Sequence, residues 1–337
     1  MPSLEISRAA HAAPLPLAHL GRTASGYLCL LDEQPSFLVP ARLLPRARPR
    51  VPARLVVNPL VWFSWTGSPP HEIAPWTRVF SGPPPDGGMA WISDPSAGSL
   101  LPFWLGPEAR AALARSQPGA PAPSGLAPHL RDALLESRVL ISPAREKRRL
   151  ARCSAALDSA SLAFRRGFVP LSGLIHPFHV GALRRYFRWL IRSGALRLGD
   201  AQSRLRYVAH NEPVARFFHH QLAAVMSRVA ARPLKPSYVY FASYQGGAEL
   251  ERHTDRPQCE FSLTYCLDFT PEPASATAWP IRLDTPHGSV TVYQAIGDAL
   301  AYRGCRLPHY RNRLWRGATS SSIFFHFVPE DFSGSLR

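Results

Sequence analysis

The sequence predicts an α+β protein whose C-terminal part is a β-barrel or jelly roll buttressed by helices, preceded by a small β-rich N-terminal module. Three observations carry this. Two helix-period runs stand at about 177–193 and 214–229. Beyond them the chain is almost entirely short strands and turns. The first 105 residues hold five of the eight tryptophans among many prolines and short β-like runs. A length of 337 residues leaves room for two domains, or for one large domain with an N-terminal extension.

Residues 1–115 form the expected N-terminal module. Trp62, Trp65, Trp76, Trp91 and Trp104, with runs such as Leu55-Val56-Val57 and Leu60-Val61-Trp62-Phe63, argue for a folded rather than a disordered segment, and the tryptophans are read as core. Residues 116–166 read as linker and helices. The run 116–125 is rich in Pro, Gly and Ser; 130–136 is helical and ends near Ser142-Pro143; and the basic run 145–152 is one solvated helix face.

The main domain is expected over 167–332. A strand and turn at 168–175 precede the first helix, whose apolar stripe is Val180, Leu183, Tyr186, Phe187 and Leu190. Tyr207-Val208-Ala209 reads as a loop feeding the second helix through Glu212-Pro213. Strands follow at about 237–244, 260–268, 279–284, 288–294, 299–303, 305–311 and 318–327.

Lysine plus arginine exceed aspartate plus glutamate by 39 to 23, giving +16, nearly all of it arginine. The arginines are dispersed, and no helix-turn-helix, zinc or aromatic-interleaved pattern accompanies the basic run, so no nucleic-acid partner is expected. The five cysteines are odd in number and lack CxxC spacing, which argues against a disulfide framework or a zinc knuckle and fits a reducing cytoplasm. Met1 to Arg8 lack the pattern of a leader, and no run reaches the length of a membrane span. The oligomeric state is left open.

His253-Thr254-Asp255 is followed 56 positions after His253 by His309. Two imidazoles and one carboxylate can occupy one face of an iron(II) ion and leave three positions open. Thirteen histidines in 337 residues give roughly 0.4 chance His-x-Asp matches, so context decides. A β-rich run (237–244) and a Gly246-Gly247 turn precede the motif and another strand follows it. Within a strand, positions i and i+2 share a face, which would let His253 and Asp255 converge. His210-Asn211-Glu212 is a decoy, placed between a loop and a helix.

Tyr244 to Asp255, Gly297 to His309 and the last strand, Ser320 to Phe327, resemble the iron(II)- and 2-oxoglutarate-dependent dioxygenases, in their prolyl-4-hydroxylase-like branch. The resemblance covers about residues 167–330. It implies a double-stranded β-helix, with His253, Asp255 and His309 as ligands of Fe(II), with 2-oxoglutarate chelating the metal and with O2 as oxidant. It places Tyr244 against 2-oxoglutarate. The implied activity is hydroxylation of an unactivated C–H bond in an amino acid, a peptidyl side chain or a natural-product intermediate. Asp255 stands where related halogenases carry a small residue, so halogenation is not expected. The alternatives are a non-catalytic metal-binding barrel acting as a binding module, and a nucleic-acid-directed oxygenase.

The sequence departs from the family at one place. The family carries a lysine or arginine about ten residues after the distal histidine, for the far carboxylate of 2-oxoglutarate, but here Ala318 and Thr319 stand there. Another cation is required, because a buried unpaired charge is costly. Arg311 comes first, being two residues beyond His309 on one strand face; Arg316 is second and Arg303 third. Arg256 and Gln258 are candidates for the substrate rim. Cys259, Cys266 and Cys305 are read as small buried fillers.

Overall fold

A computed structural model describes residues 26–32, 39–43, 54–80 and 82–336. The expectation for Met1 to Arg8 lies outside these residues.

The N-terminal part contributes β1 (Val56–Val57), β2 (Val61–Phe63), β3 (Gly88–Asp94), β4 (Ser99–Leu105), α1 (Pro107–Leu113), α2 (Pro128–Glu136), β5 (Leu140–Ile141) and α3 (Pro143–Phe164). Strands β2, β3 and β4 form an antiparallel sheet, and β1 pairs with β5. The sheet is buried because aromatic residues on it meet a helix from the other half of the chain. Trp91 of β3 lies 6.0 Å from Phe217 of the helix at 213–221, and Phe80, from the segment before β3, bridges Trp104 at 5.4 Å and Phe217 at 4.9 Å, all in edge-to-face contacts. Gly98, at φ +60°, closes the β3–β4 turn where a Cβ would stand 2.8 Å from Ala224 Cβ, so it supplies both the left-handed turn and the close approach.

The segment 116–125, rich in turn residues, lies back on β1: Val57 N–H donates to Ala120 O and Ala122 N–H to Leu55 O. The basic run belongs to one 22-residue helix, α3, that starts at the proline expected to close the preceding one. Pro143 sits at its first position, where a missing N–H costs nothing. Arg149, on the same helix, joins Glu146, Arg138 and Asp94 in a partly buried ion network that ties α3 to β3.

The second part holds β6 (Phe168–Ser172), α4 (Pro177–Arg192), β7 (Arg197–Leu198), β8 (Arg206–His210), α5 (Pro213–Gln221), α6 (Ala223–Ala230), β9 (Leu234–Gln245), β10 (Leu250–His253), β11 (Phe261–Thr270), β12 (Ile281–Thr285), β13 (Gly288–Val292), β14 (Asp298–Tyr302), β15 (His309–Arg311) and β16 (Thr319–Pro329). Helix α4 buries the predicted stripe, and Phe187 stacks on Phe241 of β9 at 4.0 Å. Helix α5 begins where Glu212-Pro213 indicated, with the Glu212 carboxylate accepting from Ala215 N–H and from the Tyr186 hydroxyl. The loop expected at 207–209 is strand β8. Its register partners, Val208 with Ala242 and His210 with Tyr240, are far away in sequence, and no local pattern reveals them.

All ladders between the named strands are antiparallel. One sheet runs β6-β14-β11-β16-β9-β8-β7 and the other β10-β15-β12-β13. The two face each other, since Tyr302 and Ser262 of the larger sheet reach His309 and Asp255 at the smaller. Of the β-barrel or jelly roll expected here, two facing antiparallel sheets are present, and no ladder joins them among the described residues. The architecture is α+β, with helices and, in this second part, two antiparallel sheets. The strand expected at 305–311 starts only at His309. A turn with Leu307 N–H bonded to Arg303 O, followed by Pro308, precedes it.

Among the described residues no helix is long and apolar enough to cross a membrane, and the cysteines form no disulfide.

Candidate metal centre

The first candidate ligand ends one strand and the third begins another. His253 and His309 are register partners on β10 and β15. The Nδ1 atoms lie 2.8 Å from Glu251 O and 3.0 Å from Leu307 O respectively. A carbonyl only accepts, so each Nδ1 carries the hydrogen and each Nε2 keeps its lone pair.

Those lone pairs meet the carboxylate. Asp255 Oδ1 lies 3.6 Å from His253 Nε2 and 3.5 Å from His309 Nε2, and the three donor atoms all fall within 4.8 Å of one another. Convergence does not come from a shared strand face, as the sequence suggested, because β10 stops at His253. The Asp255 main-chain N–H donates to Gly304 O at 3.0 Å, and its Oδ2 accepts from Ser262 Oγ at 2.7 Å. Gly304 is required there, since a Cβ would stand 2.2 Å from Asp255 Oδ2 and 2.4 Å from Cys259 O.

Three electron pairs aimed at one point repel unless a cation lies between them, and two nitrogens with one oxygen suit a first-row divalent metal. In the metal-free chain a proton does part of that work. The hydrogen bond to Asp255 raises the pKa of His253, while burial lowers that of His309. Burial would raise the Asp255 carboxyl, but the His253 hydrogen bond, the charges at His326 and His309 and the Ser262 hydroxyl outweigh it and hold it at about 2. The centre is open on one side: the His253 side chain is 31% exposed and that of His309 3%.

Behind His309 the site is closed. Tyr302 Oη lies 3.3 Å from His309 Nε2 and 3.3 Å from Thr264 Oγ1. Arg311 shares the His309 face of β15 and is 4% exposed, with its guanidinium over Trp279 at 4.9 Å. It donates to Trp279 O and, at 3.0 Å, to Gln294 Oε1, while Gln294 Nε2 is held by Thr264 O at 2.9 Å. Among the described residues no carboxylate pairs with Arg311, and burial lowers its pKa. Tyr244 is buried beside it, its ring 5.1 Å from Trp279 and its hydroxyl accepting from Arg206 at 3.0 Å.

The other candidates sit elsewhere. Arg316 is exposed in the loop before β16, which starts only at Thr319, so it has no strand face to share and does not enter the site. Arg303 lies over Phe164 and Phe261, against α3. Arg256 is exposed beside the centre, donating to the Tyr238 hydroxyl, and the Gln258 carbonyl accepts from Ser237 Oγ. Cys259 and Cys266 are buried and Cys305 half-buried. His210 packs at a tilt against Tyr240, and Glu212 caps α5, so the decoy pair does not converge.

Gln294, Ser262, His326, Tyr302 and Arg206 also surround the centre and were not singled out from the sequence. A signal existed for one strand. In Phe261 to Leu267 the smaller polar side chains, Ser262, Thr264 and Cys266, alternate with larger ones, which marks the face turned toward the site.

No family model matches the chain and no curated protein does. Solved structures do match. The non-heme alpha-ketoglutarate-dependent epimerase SnoN from nogalamycin biosynthesis aligns over 52% of this chain and 83% of its own, at 17% identity and TM-score 0.43. A Pseudomonas putida prolyl-4-hydroxylase aligns over 52% and 99%, at 15% and 0.41. A Trichoplax adhaerens prolyl hydroxylase in complex with a hypoxia inducible factor peptide fragment aligns over 53% and 92%, at 14% and 0.45. These neighbours are 2-oxoglutarate/iron oxygenases matched over about half of the chain.

Proposed function

We propose that the chain is an iron(II)- and 2-oxoglutarate-dependent oxygenase that hydroxylates an unactivated C–H bond of an amino acid, a peptidyl side chain or a natural-product intermediate. One observation carries the reading: a buried arginine without a carboxylate partner, Arg311, stands two residues from His309 and on its face, beside a converged set of two histidines and one carboxylate. A buried unpaired cation is destabilising, and a ligand that brings its own carboxylate relieves it.

In this reading His253, Asp255 and His309 hold iron(II), and residues 167–332 are the oxygenase domain, with the two facing sheets as the walls of a double-stranded β-helix. Bound there, iron(II) with 2-oxoglutarate and O2 supplies an oxidation that ends in a hydroxylated product, succinate and CO2. The chain's own residues do the rest. Arg311 offers a planar fork to the far carboxylate of 2-oxoglutarate, and Gln294 holds that fork in place. The Tyr244 hydroxyl accepts from Arg206, which leaves its own hydrogen to donate to the cosubstrate. Tyr302, Thr264 and Trp279 close the pocket against water. Asp255 fills the position a halide would need, so hydroxylation is preferred to halogenation.

The test is direct. Oxygen-free protein is loaded with iron(II), and 2-oxoglutarate is added while the weak visible charge-transfer band is followed, with His253→Ala as control. The expected result is a band in the wild type and none in the variant. A wild-type protein that binds iron but shows no band would overturn the cosubstrate assignment.

A further inference from the structure

We propose that His326 is a positioning residue for this centre, acting on Asp255 through the hydroxyl of Ser262. The inference rests on the metal-binding reading above.

Ser262 and His326 are register partners on β11 and β16, so their side chains stand side by side on the face turned toward the site. Ser262 Oγ lies 2.7 Å from Asp255 Oδ2 and 3.0 Å from His326 Nδ1. A serine hydroxyl has one hydrogen, and an ionised carboxylate takes it in preference to a neutral acceptor such as Cys259 O, 3.2 Å away. The second bond must then run the other way, with His326 Nδ1–H donating to Ser262 Oγ. Ser262 and His326 are both buried, so water does not compete for these bonds.

The consequence falls on the carboxylate. Asp255 Oδ1 is the oxygen shared between the two imidazoles, and Oδ2 is the one held by Ser262. The main chain of Asp255 is tied to Gly304. A carboxylate held at Oδ2 and at its backbone cannot swing to present both oxygens to one ion. The relay therefore keeps Asp255 a one-oxygen ligand and preserves the open positions on which the chemistry depends.

Asp255, Cys259 and His326 also bring donor atoms within 4.8 Å of one another. They do not make a second metal site. The Ser262 hydroxyl stands among them, bonded to two of the three, and Cys259 Sγ is engaged by the Tyr238 hydroxyl at 3.0 Å.

Cobalt(II), titrated into the full chain without oxygen, gives both an affinity and a ligand-field spectrum that reports coordination number. His253→Ala serves as the control for the centre itself and should abolish the spectrum. Ser262→Ala and His326→Phe are expected to bind cobalt about ten- to a hundredfold more weakly, with a changed band pattern. His326→Asn, whose amide N–H can take the place of Nδ1–H, should restore most of the affinity and the wild-type bands. Unchanged affinity and spectrum in Ser262→Ala and His326→Phe, with the control still abolishing binding, would overturn the relay. Equal losses in His326→Phe and His326→Asn would overturn it as well, reducing His326 to packing. If His326→Phe does not fold, Ser262→Ala decides alone, since it removes a single oxygen. A wild-type spectrum that does not depend on His253 would overturn the centre and the relay together.

Discussion

His253 and His309 face each other across the β10–β15 ladder, their rings 4.4 Å apart and both Nε2 atoms turned to the same oxygen of Asp255. Strand pairing holds the two imidazoles at a separation that one metal ion can span. Only Asp255 has to be placed by other means. A site built this way is as rigid as its ladder.

Arg311 supplies the sharpest prediction. If Arg311 holds 2-oxoglutarate as proposed, replacing it with leucine removes charge-assisted hydrogen bonds each contributing about 1.5–3 kcal/mol, so 2-oxoglutarate affinity should fall at least about tenfold. The ligand-free protein should be no less stable, because a buried unpaired cation is lost with the side chain. Arg316→Leu, on an exposed residue, should leave affinity unchanged. Calorimetric titration and thermal melts with and without 2-oxoglutarate check all three; equal affinity in Arg311→Leu would refute the pairing.

Gly304→Ala tests the packing around the carboxylate. The added Cβ meets Asp255 Oδ2 at 2.2 Å and the Cys259 carbonyl at 2.4 Å, and a carbonyl cannot turn aside as a side-chain tip can. Overpacking of this kind costs about 1–3 kcal/mol. Metal binding should suffer beyond that, since the displaced group is the carboxylate proposed to hold the metal. Urea denaturation beside a cobalt titration separates the two losses.

The pH dependence of the metal-free protein follows from the same trio. Asp255, held at about 2 against an ordinary 3.8, contributes stability that is complete above the ordinary value and lost as pH falls toward 2. His253 is raised above its ordinary 6.5, so its contribution is complete below 6.5 and lost as pH rises through the raised value. The pair should make its largest contribution between about pH 4 and 6.5. Metal affinity should run the opposite way above 6.5, rising as the proton leaves His253. Denaturation midpoints across this range, compared between wild type and His253→Ala, give the measurement.

Phe217 of α5 joins the two parts of the chain, packing against Trp76, Phe80 and Trp91. Phe217→Ala should destabilise the whole protein by about 3–5 kcal/mol in a single cooperative transition. Separate melting of an N-terminal part would contradict this.

The sequence by itself determined what depends on near neighbours. Period 3.6 located α4, Glu212-Pro213 located the start of α5, and β-rich runs bounded by turn residues located β9, β11 and β16, because each of these signals lies within a few neighbouring residues. It also named His253, Asp255 and His309, and the missing cation at Ala318 and Thr319 directed attention to Arg311. Tertiary structure decided the rest. Spacing ranked Arg311 ahead of Arg316, but only the start of β16 at Thr319 showed that Arg316 lies in an exposed loop. The Ser262–His326 pairing and the strand character of β8 depend on register between segments far apart in sequence. Asp255 reached the two histidines through a backbone bond to Gly304 rather than a shared strand face. Each of these outcomes depends on which hydrogen-bonding groups meet across separate strands and turns, and that meeting is settled only when the whole core closes around them.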